Sequence, residues 1–275
     1  FRGADFRNIG QFEDAFDEVS VVVLEQNYRS TQTILDAANA VIAQNFARKP
    51  KDLWTESGPG EQIVRFHADD EGDEAAYVAR TMKTLRSSGR TWGDMAVFYR
   101  TNPQSRVVEE ILMRFGIPYK VVGGTRFYDR REVKDAVAYL RVLTNPLDEV
   151  SIKRVLNMPK RGVGDTSVSR LDEFARQENI SFYEALRRAE EAGVSGAARR
   201  GIESFVAVIE EVSTQEEQSP GGLLGAVMEK SGYRAEFESD DSVEAAGRLE
   251  NLDELVSSAK EFAKVDEFLE QVSLV

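Results

Sequence analysis

The sequence predicts an α/β segment followed by an all-α segment. In the first half, short apolar runs of strand length alternate with helical periods, which is typical of a mainly parallel sheet. After Phe127 the strand-like runs stop, and helical periods punctuated by Gly and Pro follow. The composition changes at the same point and becomes rich in Glu, Ala and Leu. We therefore expect a domain boundary near residues 125–130.

Four apolar runs are the predicted strands of the first half. The run at 21–24 is continuously apolar, as in a strand buried on both faces. Between the runs, apolar residues recur at helical spacing, and Ser30 or Thr31 can cap the first of these helices. The predicted strands are 21–24, 63–66, 95–100 and 118–124, and the later predicted helices of this half are 71–88 and 103–116.

The second half is predicted to contain eight helices. Their limits are set by Gly and Pro, which punctuate helical patterns because they interrupt the backbone geometry of a helix. The predicted helices are 131–144, 149–157, 165–178, 181–191, 196–213, 219–231, 242–263 and 265–274.

Composition excludes several classes of function. The chain has 275 residues and no cysteine, which excludes disulfides and thiolate metal sites. Its only histidine, His67, gives no basis for a His-rich metal site or a Ser-His-Asp triad, and no metal site is predicted. No apolar run approaches the ~18 residues of a membrane span.

Charge is distributed unevenly along the chain. The net charge is −13, which by itself argues against nucleic-acid binding. Residues 126–170, however, hold 10 Lys/Arg and 6 Asp/Glu, a net charge of +4. Residues 171–275 hold 10 Lys/Arg and 24 Asp/Glu, a net charge of −14. Because salt screens distant charges, the basic segment can still bind phosphates.

Polar residues follow the apolar run at 21–24. Tyr28 and Arg29 come just before a helix start, where the carboxyl end of a strand would place a ligand. An aromatic ring can stack on a base, and an arginine can bind a phosphate with two donors. The alternative is a surface tyrosine and an arginine paired with a nearby acid, and the residues alone leave both open.

Two further stretches combine donors with a turn. Residues 98–106 run from an apolar stretch into Arg100, Asn102 and Ser105, donors suited to a sugar-phosphate backbone. The sequence MPKRGVGDTS at 158–167 places two cations before a Gly-x-Gly turn, whose backbone can approach phosphates closely. Each stretch can equally be an ordinary turn before a helix.

A complete nucleotide-hydrolysing centre is not predicted from these residues. The sequence has no G-x-x-x-x-G-K-[ST] motif, and no apolar strand ends in paired Asp-Glu that could hold Mg²⁺.

The motifs taken together resemble the UvrD/PcrA/Rep group of superfamily-one DNA helicases. The resemblance covers nearly the whole chain, and its order of motifs is specific. The stretches that carry it include LEQNYRSTQTILDAAN, AVFYRTNPQSRVVEEIL, GIPYKVVGGTRFYDRREVKDAVAYLRVLTNP, LNMPKRGVGD and RLENLDELV.

The resemblance implies a fragment of a motor protein with three parts. Residues 1–20 would be the tail of motor subdomain 1A, residues 21–125 the N-terminal part of the RecA-like subdomain 2A, and residues 126–275 the helical subdomain 2B. The fold class implied is thus a partial RecA-like parallel sheet, as in P-loop NTPases, followed by a helical subdomain. The phosphate loop is expected before Phe1, so this chain alone is expected to be inactive.

The resemblance also implies roles for individual residues. Tyr28 would stack on the adenine of ATP, Arg29 would reach the γ-phosphate as an arginine finger, and Gln26 belongs to the same motif. Phe1 would stack on single-stranded DNA. The other implied DNA-binding residues are Arg100, Asn102 and Ser105 for the single strand, and Lys160, Arg161, Gly162, Val163 and Gly164 for the duplex.

The expected activity of the parent is ATP-dependent 3′→5′ unwinding of DNA in repair or replication. The expected cofactor is ATP with Mg²⁺ in the intact protein, with none bound by the fragment alone. The expected partners are single-stranded and duplex DNA and repair proteins docking on residues 126–275, in the bacterial cytoplasm at the nucleoid and without a membrane. Two alternatives remain: a non-motor module that binds protein or DNA, and a fragment of an AddA/RecB-type helicase–nuclease.

Overall fold

The computed structural model describes residues 19–45, 51–122, 124–215 and 219–274. The chain divides into two units, Phe1–Ala68 and Asp69–Val275, and each is described by itself. Within the described ranges, no helix has both the length and the apolar character that crossing a bilayer requires.

The first unit contains one described helix, α1 (Gln32–Ile42). Thr31 precedes it in an extended conformation, and Leu35 is its buried residue. An isolated parallel bridge joins Gln26 to Trp54. The helix thus begins directly after Thr31, as the pattern predicts, but the Thr31 side chain makes no capping hydrogen bond.

The predicted parallel sheet is wrong, because the described residues contain no β-strand. The apolar runs have no regular secondary structure, and many of their residues are exposed: Val22 is 78% exposed, Val64 75% and Phe98 92%. A strand is stable only when a neighbour pairs with its backbone groups, and the described parts of these runs form no such ladder. An apolar run specifies a preference for burial, not a pairing partner, and the expectation of a partial RecA-like sheet fails for this reason.

The second unit begins with a pair of helices, α2 (Glu71–Ser87) and α3 (Ser105–Arg114). The Asp70 side chain caps α2 by accepting a hydrogen bond from the N–H of Asp73 at 2.7 Å. Short 3₁₀ turns at Trp92–Asp94 and Asn102–Gln104 lie between the two helices. The two helices and the residues just after α3 share a small core of Ala75, Ala79, Ile111, Leu112 and Ile117.

The described residues of the rest of the second unit are helical, as predicted, but they form nine helices where eight were predicted, because Tyr233–Glu238 is a separate helix. The predicted helices at 131–144, 165–178 and 196–213 are confirmed with those limits. A 3₁₀ turn at Phe127–Asp129 precedes them. The helices are α4 (Arg131–Thr144), α5 (Glu149–Val155), α6 (Asp165–Glu178), α7 (Phe182–Arg187), α8 (Gly196–Ser213), α9 (Pro220–Lys230), α10 (Tyr233–Glu238), α11 (Val243–Ala259) and α12 (Val265–Leu274).

Helix α4 lies at the centre of this helical part. It contacts α5, α8, α9 and α11, and most of its residues are buried because neighbours cover it on several sides. One continuous apolar core results, in which Tyr139, Phe205 and Phe268 are among the largest fully buried side chains. The turn between α5 and α6, one of the candidate contacts described below, lies beside this core.

Candidate functional site

The turn at residues 26–30 is organised by the side chain of Asn27. Its Oδ1 accepts hydrogen bonds from the backbone N–H groups of Arg29 at 2.8 Å and Ser30 at 2.9 Å. Asn commonly closes turns in this way. The backbone N–H of Asn27 donates to the carbonyl of Trp54 at 2.8 Å. The turn is therefore held by its own side chain and by a second segment of the chain.

Tyr28 and Arg29 project into solvent from this turn. Tyr28 is 83% exposed, and its hydroxyl donates to Oε1 of Gln26 at 2.9 Å. Arg29 is also exposed. An exposed aromatic ring can stack on a base, and the planar guanidinium presents paired donors to a phosphate. The structure thus brings Gln26, Tyr28 and Arg29, the three residues predicted for nucleotide contact, onto one turn.

Two residues of α1 support the turn and were missed by sequence reasoning. Asn39 accepts from the N–H of Leu53 at 3.0 Å and donates to its carbonyl at 2.9 Å. Gln32 accepts from the N–H of Thr55 at 3.0 Å. Together they hold the segment that contains Trp54 beside Asn27. Their signal in the sequence is a pair of amides seven residues apart, which lie on one helix face.

The N-terminus of α1 is already occupied by backbone carbonyls. Gly58 accepts from the N–H of Gln32 at 2.9 Å, and Pro59 accepts from the N–H of Thr33 at 3.1 Å. Gly60 in the same loop has φ +70°, and a Cβ there would lie 2.3 Å from Oγ1 of Thr31, so only glycine fits. Since these two N–H groups are used, they are not free to bind a phosphate, and the exposed cation of the turn is Arg29.

A second candidate turn, at residues 100–105, is closed by Gln104. Its Oε1 accepts from the N–H groups of Arg100 at 2.8 Å and Thr101 at 3.0 Å. Arg100 and Asn102 are exposed. Ser105 is 1% exposed, and its Oγ accepts from Nη2 of Arg130 at 3.0 Å. The structure therefore places Arg100 and Asn102 on the surface but uses Ser105 inside the protein.

The glycine turn between α5 and α6 is held by Asn157 and by the predicted contact residue Arg161. Oδ1 of Asn157 accepts from the N–H groups of Arg161 at 2.7 Å and Val163 at 3.2 Å. The Arg161 guanidinium folds back and donates to Tyr139 Oη at 2.9 Å. It also donates to the carbonyls of Val155, Leu156, Met158, Pro159 and Ser231. Arg161 therefore braces the turn.

The inner side of this turn is closely packed. Val163 is 3% exposed. A Cβ on Gly201 of α8 would lie 2.2 Å from the carbonyl oxygen of Arg161, so α8 approaches the turn as closely as glycine allows. Arg161 and Val163 thus face the protein.

Lys160, Gly162 and Gly164 form the outer side of the turn and are exposed. Gly162 has φ +77°, the left-handed conformation that glycine favours. Gly164 precedes α6 in an extended conformation, and a Cβ there would meet nothing within 4 Å. Within the described residues, no hydrogen bond uses the N–H groups of Gly162, Gly164 or Asp165. Such N–H groups at a helix start can bind an anion.

A cleft of about 340 Å³ in the helical part was not predicted. Four cations line it, namely Arg126, Lys134, Arg141 and Arg154, with Asp129 as the acidic residue. Its apolar lining comes from Val137, Ala138, Val150 and Val272. The net charge of +4 over residues 126–170 is the sequence signal for this cleft, although it does not reveal which cations meet.

The four cations differ in their partners. Lys134 pairs with Asp129 at 2.6 Å, and Arg154 pairs with Asp135 at 2.8 Å. Arg141, by contrast, donates to the hydroxyl of Ser273 at 3.4 Å. Arg126 lies over the ring of Tyr119, 5.4 Å from its centroid. Among the described residues, Arg126 and Arg141 form no salt bridge, although the charge of Arg141 helps to lower the pKa of Asp148, so these two arginines are the best placed to attract an anion.

Phe1, predicted to stack on single-stranded DNA, lies outside the described residues.

Comparisons with known proteins match nearly the whole chain. The family described as "UvrD-like helicase C-terminal domain" matches residues 22–274. The chain is 48% identical over 267 residues to the ATP-dependent DNA helicase UvrD1 of Mycobacterium tuberculosis, covering 96% of this chain and 35% of that protein. It is 44% identical over 276 residues to the ATP-dependent DNA helicase PcrA of Staphylococcus epidermidis, covering 100% of this chain and 38% of that protein. A similar match to PcrA of Bacillus subtilis has 44% identity over 269 residues, covering 97% and 36%.

The chain spans little more than a third of the length of these relatives. The family match covers residues 22–274, well over half of the chain. The chain therefore belongs to the UvrD-like helicase C-terminal domain family.

Proposed function

We propose that this chain is part of an ATP-dependent DNA helicase that moves 3′→5′ along single-stranded DNA and separates duplex DNA. The observation that carries the proposal is 44–48% identity, over nearly the whole chain, to proteins named as ATP-dependent DNA helicases. The chemistry of the exposed turns supports it, because they offer an aromatic ring, guanidinium groups and free backbone donors rather than an enclosed small-molecule cavity.

Tyr28 and Arg29 form the proposed nucleotide contact. Tyr28 would stack on adenine, and Arg29 would bind the γ-phosphate and stabilise the charge that develops on it during transfer. The exposed ring and guanidinium on one fixed turn fit this role. Gln26 would orient the tyrosine through the hydrogen bond that its Oε1 accepts from the Tyr28 hydroxyl. Among the described residues, no group of three or more His, Asp or Glu side chains is arranged to hold a metal ion.

Two surfaces form the proposed DNA contacts. Arg100 and Asn102 would bind the backbone of the single strand, since they are exposed donors on one turn. Lys160, with the N–H groups of Gly162 and Gly164, would bind duplex phosphates without reading bases. The cationic cleft supports the same role, because in an acidic chain it concentrates positive charge at one place.

Unwinding by the full-length protein tests the proposal. ATP hydrolysis is expected to rise when single-stranded DNA is added, and hairpins with a 3′ tail should open while those with a 5′ tail stay closed. The 275-residue chain alone is expected to do neither, since it has no G-x-x-x-x-G-K-[ST] motif. If single-stranded DNA did not stimulate ATP hydrolysis by the full-length protein, the proposal would be contradicted.

A further inference from the structure

Two arginines are buried where the turn at residues 100–105 meets the helical part. Arg106 is 6% exposed and Arg130 is 8% exposed. Arg106 lies in the first turn of α3, and Arg130 directly precedes α4. Buried arginines are uncommon, and their guanidinium groups need partners for every buried donor.

Arg106 binds three carboxylates from two parts of the chain. Its Nε donates to Glu254 of α11 at 2.6 Å, and its Nη1 donates to Glu110 of α3 at 3.2 Å. Its Nη2 lies 3.7 Å from Glu261, just beyond α11. Burial lowers the pKa of Arg106, but the hydrogen bond to Glu254 and the charge of Glu110 outweigh it and raise that pKa. The guanidinium therefore stays charged and joins α3 to α11.

Arg130 makes a second connection between the same elements. Its Nη1 donates to Oδ1 of Asn251 on α11 at 2.6 Å, and its Nη2 donates to Oγ of Ser105 at 3.0 Å. Asn251 in turn donates to Glu132 of α4 at 2.7 Å. Ser105, Arg130 and Asn251 thus form one chain of buried hydrogen bonds from the end of the turn to α11.

Both connections attach to the residues that follow the turn directly. Ser105 and Arg106 come straight after the 3₁₀ helix Asn102–Gln104, which itself contacts α11. Buried ion pairs contribute little net stability, because desolvation offsets most of their attraction. Their donors and acceptors are satisfied only in one relative geometry, so such a network fixes orientation more than it stabilises the fold.

We propose that Arg106 and Arg130 are positioning residues that couple the turn at residues 100–105 to α11. The turn, which would bind the single strand, and the helical part then move together during strand separation. This inference rests on the proposed helicase function. It assigns neither arginine a contact with DNA or ATP. If the link between the turn and α11 is broken, the protein should still move along single strands, but it should separate fewer base pairs for each ATP that it hydrolyses.

The double variant Arg106→Gln/Glu254→Gln tests the link in the full-length protein. It removes both partners of the inter-helix ion pair, so no carboxylate of that pair is left unpaired, and Glu110 keeps its hydrogen bond from Tyr128. ATP hydrolysis stimulated by single-stranded DNA should be retained. Base pairs separated per ATP should fall by about five-fold or more, the lower end of typical coupling between sites.

The matched control is Arg234→Gln/Asp253→Asn. It removes an ion pair of the same length, 2.6 Å, which joins α10 to the neighbouring position of α11 but does not involve the turn. The control should keep the wild-type yield of base pairs per ATP. If the melting temperature shows that the double variant does not fold, Glu254→Gln alone breaks the same bond. The number of base pairs that this single variant separates per ATP then tests the positioning role.

The outcomes separate the inference from the function on which it rests. An unchanged yield in the test variant, an equal fall in the control, or a parallel loss of single-strand-stimulated ATP hydrolysis would overturn the positioning role. A wild-type protein without DNA-stimulated ATP hydrolysis would instead overturn the proposed function.

Discussion

Oδ1 of Asn27 accepts a hydrogen bond from the backbone N–H of Arg29 at 2.8 Å. The same oxygen binds the N–H of Ser30 at 2.9 Å, so one acceptor defines the direction in which Arg29 leaves the backbone. An arginine that stabilises a transferring phosphoryl group must be held in place before the reaction. The relationship between these two residues therefore predicts that Asn27 matters although it need not touch ATP.

Asn27→Ala in the full-length protein should lower kcat for ATP hydrolysis by about 10–100-fold, because small displacements of positioned groups cost rates of that order. Asn27→Asp is the matched control, since its carboxylate keeps both acceptor bonds and should retain most of the rate. Steady-state kinetics with saturating single-stranded DNA give the comparison. Equal rates for the two variants would argue against a positioning role for this side chain.

Arg29→Ala should reduce kcat for ATP far more than it weakens ATP binding, since arginine fingers contribute roughly 10³–10⁵ in kcat. Tyr28→Ala should mainly raise KM, because stacking on adenine acts alike on the ground state and the transition state. The measurement is kcat and KM for both variants in the full-length protein. If kcat of Arg29→Ala stayed near the wild-type value, Arg29 would not be the phosphate contact.

Gly164→Thr should weaken duplex binding while leaving single-strand binding unchanged. The backbone at Gly164 has φ −99° and ψ 176° with open space at the Cβ position, and Thr is a good residue before a helix. The substitution therefore tests access to the N–H groups without strain, unlike Gly162→Thr at φ +77°. Titration of a tailed hairpin, with melting temperature as the control, measures the effect. Full duplex affinity in a folded Gly164→Thr protein would count against the phosphate contact.

Arg126→Gln/Arg141→Gln should make duplex binding less dependent on salt. Each cation removed from a phosphate should reduce the slope of log K against log salt by about one, so the double variant should reduce it by about two. Arg248→Gln is the control, because Arg248 pairs with Glu244 away from the cleft lining and its removal should not change the slope. The measurement is the affinity of each protein for a blunt duplex across a series of salt concentrations. A slope shared by wild type and double variant would show that the cleft binds no phosphate.

Local sequence determined most of the helices and the candidate turns. Periodic apolar residues with Gly, Pro and capping residues at their ends act within a few positions of each other, so 131–144, 165–178 and 196–213 were predicted with their observed limits. The motif order likewise predicted the family. The turn at residues 26–30 was predictable as a candidate site because its residues are adjacent in the chain.

The tertiary structure alone decided which apolar runs pair and which predicted contacts stay on the surface. The runs predicted as strands form no ladder in the described residues, because pairing depends on a partner that no local pattern specifies. Arg161 and Ser105 were predicted as DNA contacts, yet they bind Ser231, 70 residues away, and Arg130, 25 residues away. A side chain's polarity is local, but whether its donors meet water, DNA or a buried carbonyl depends on segments brought together only by folding.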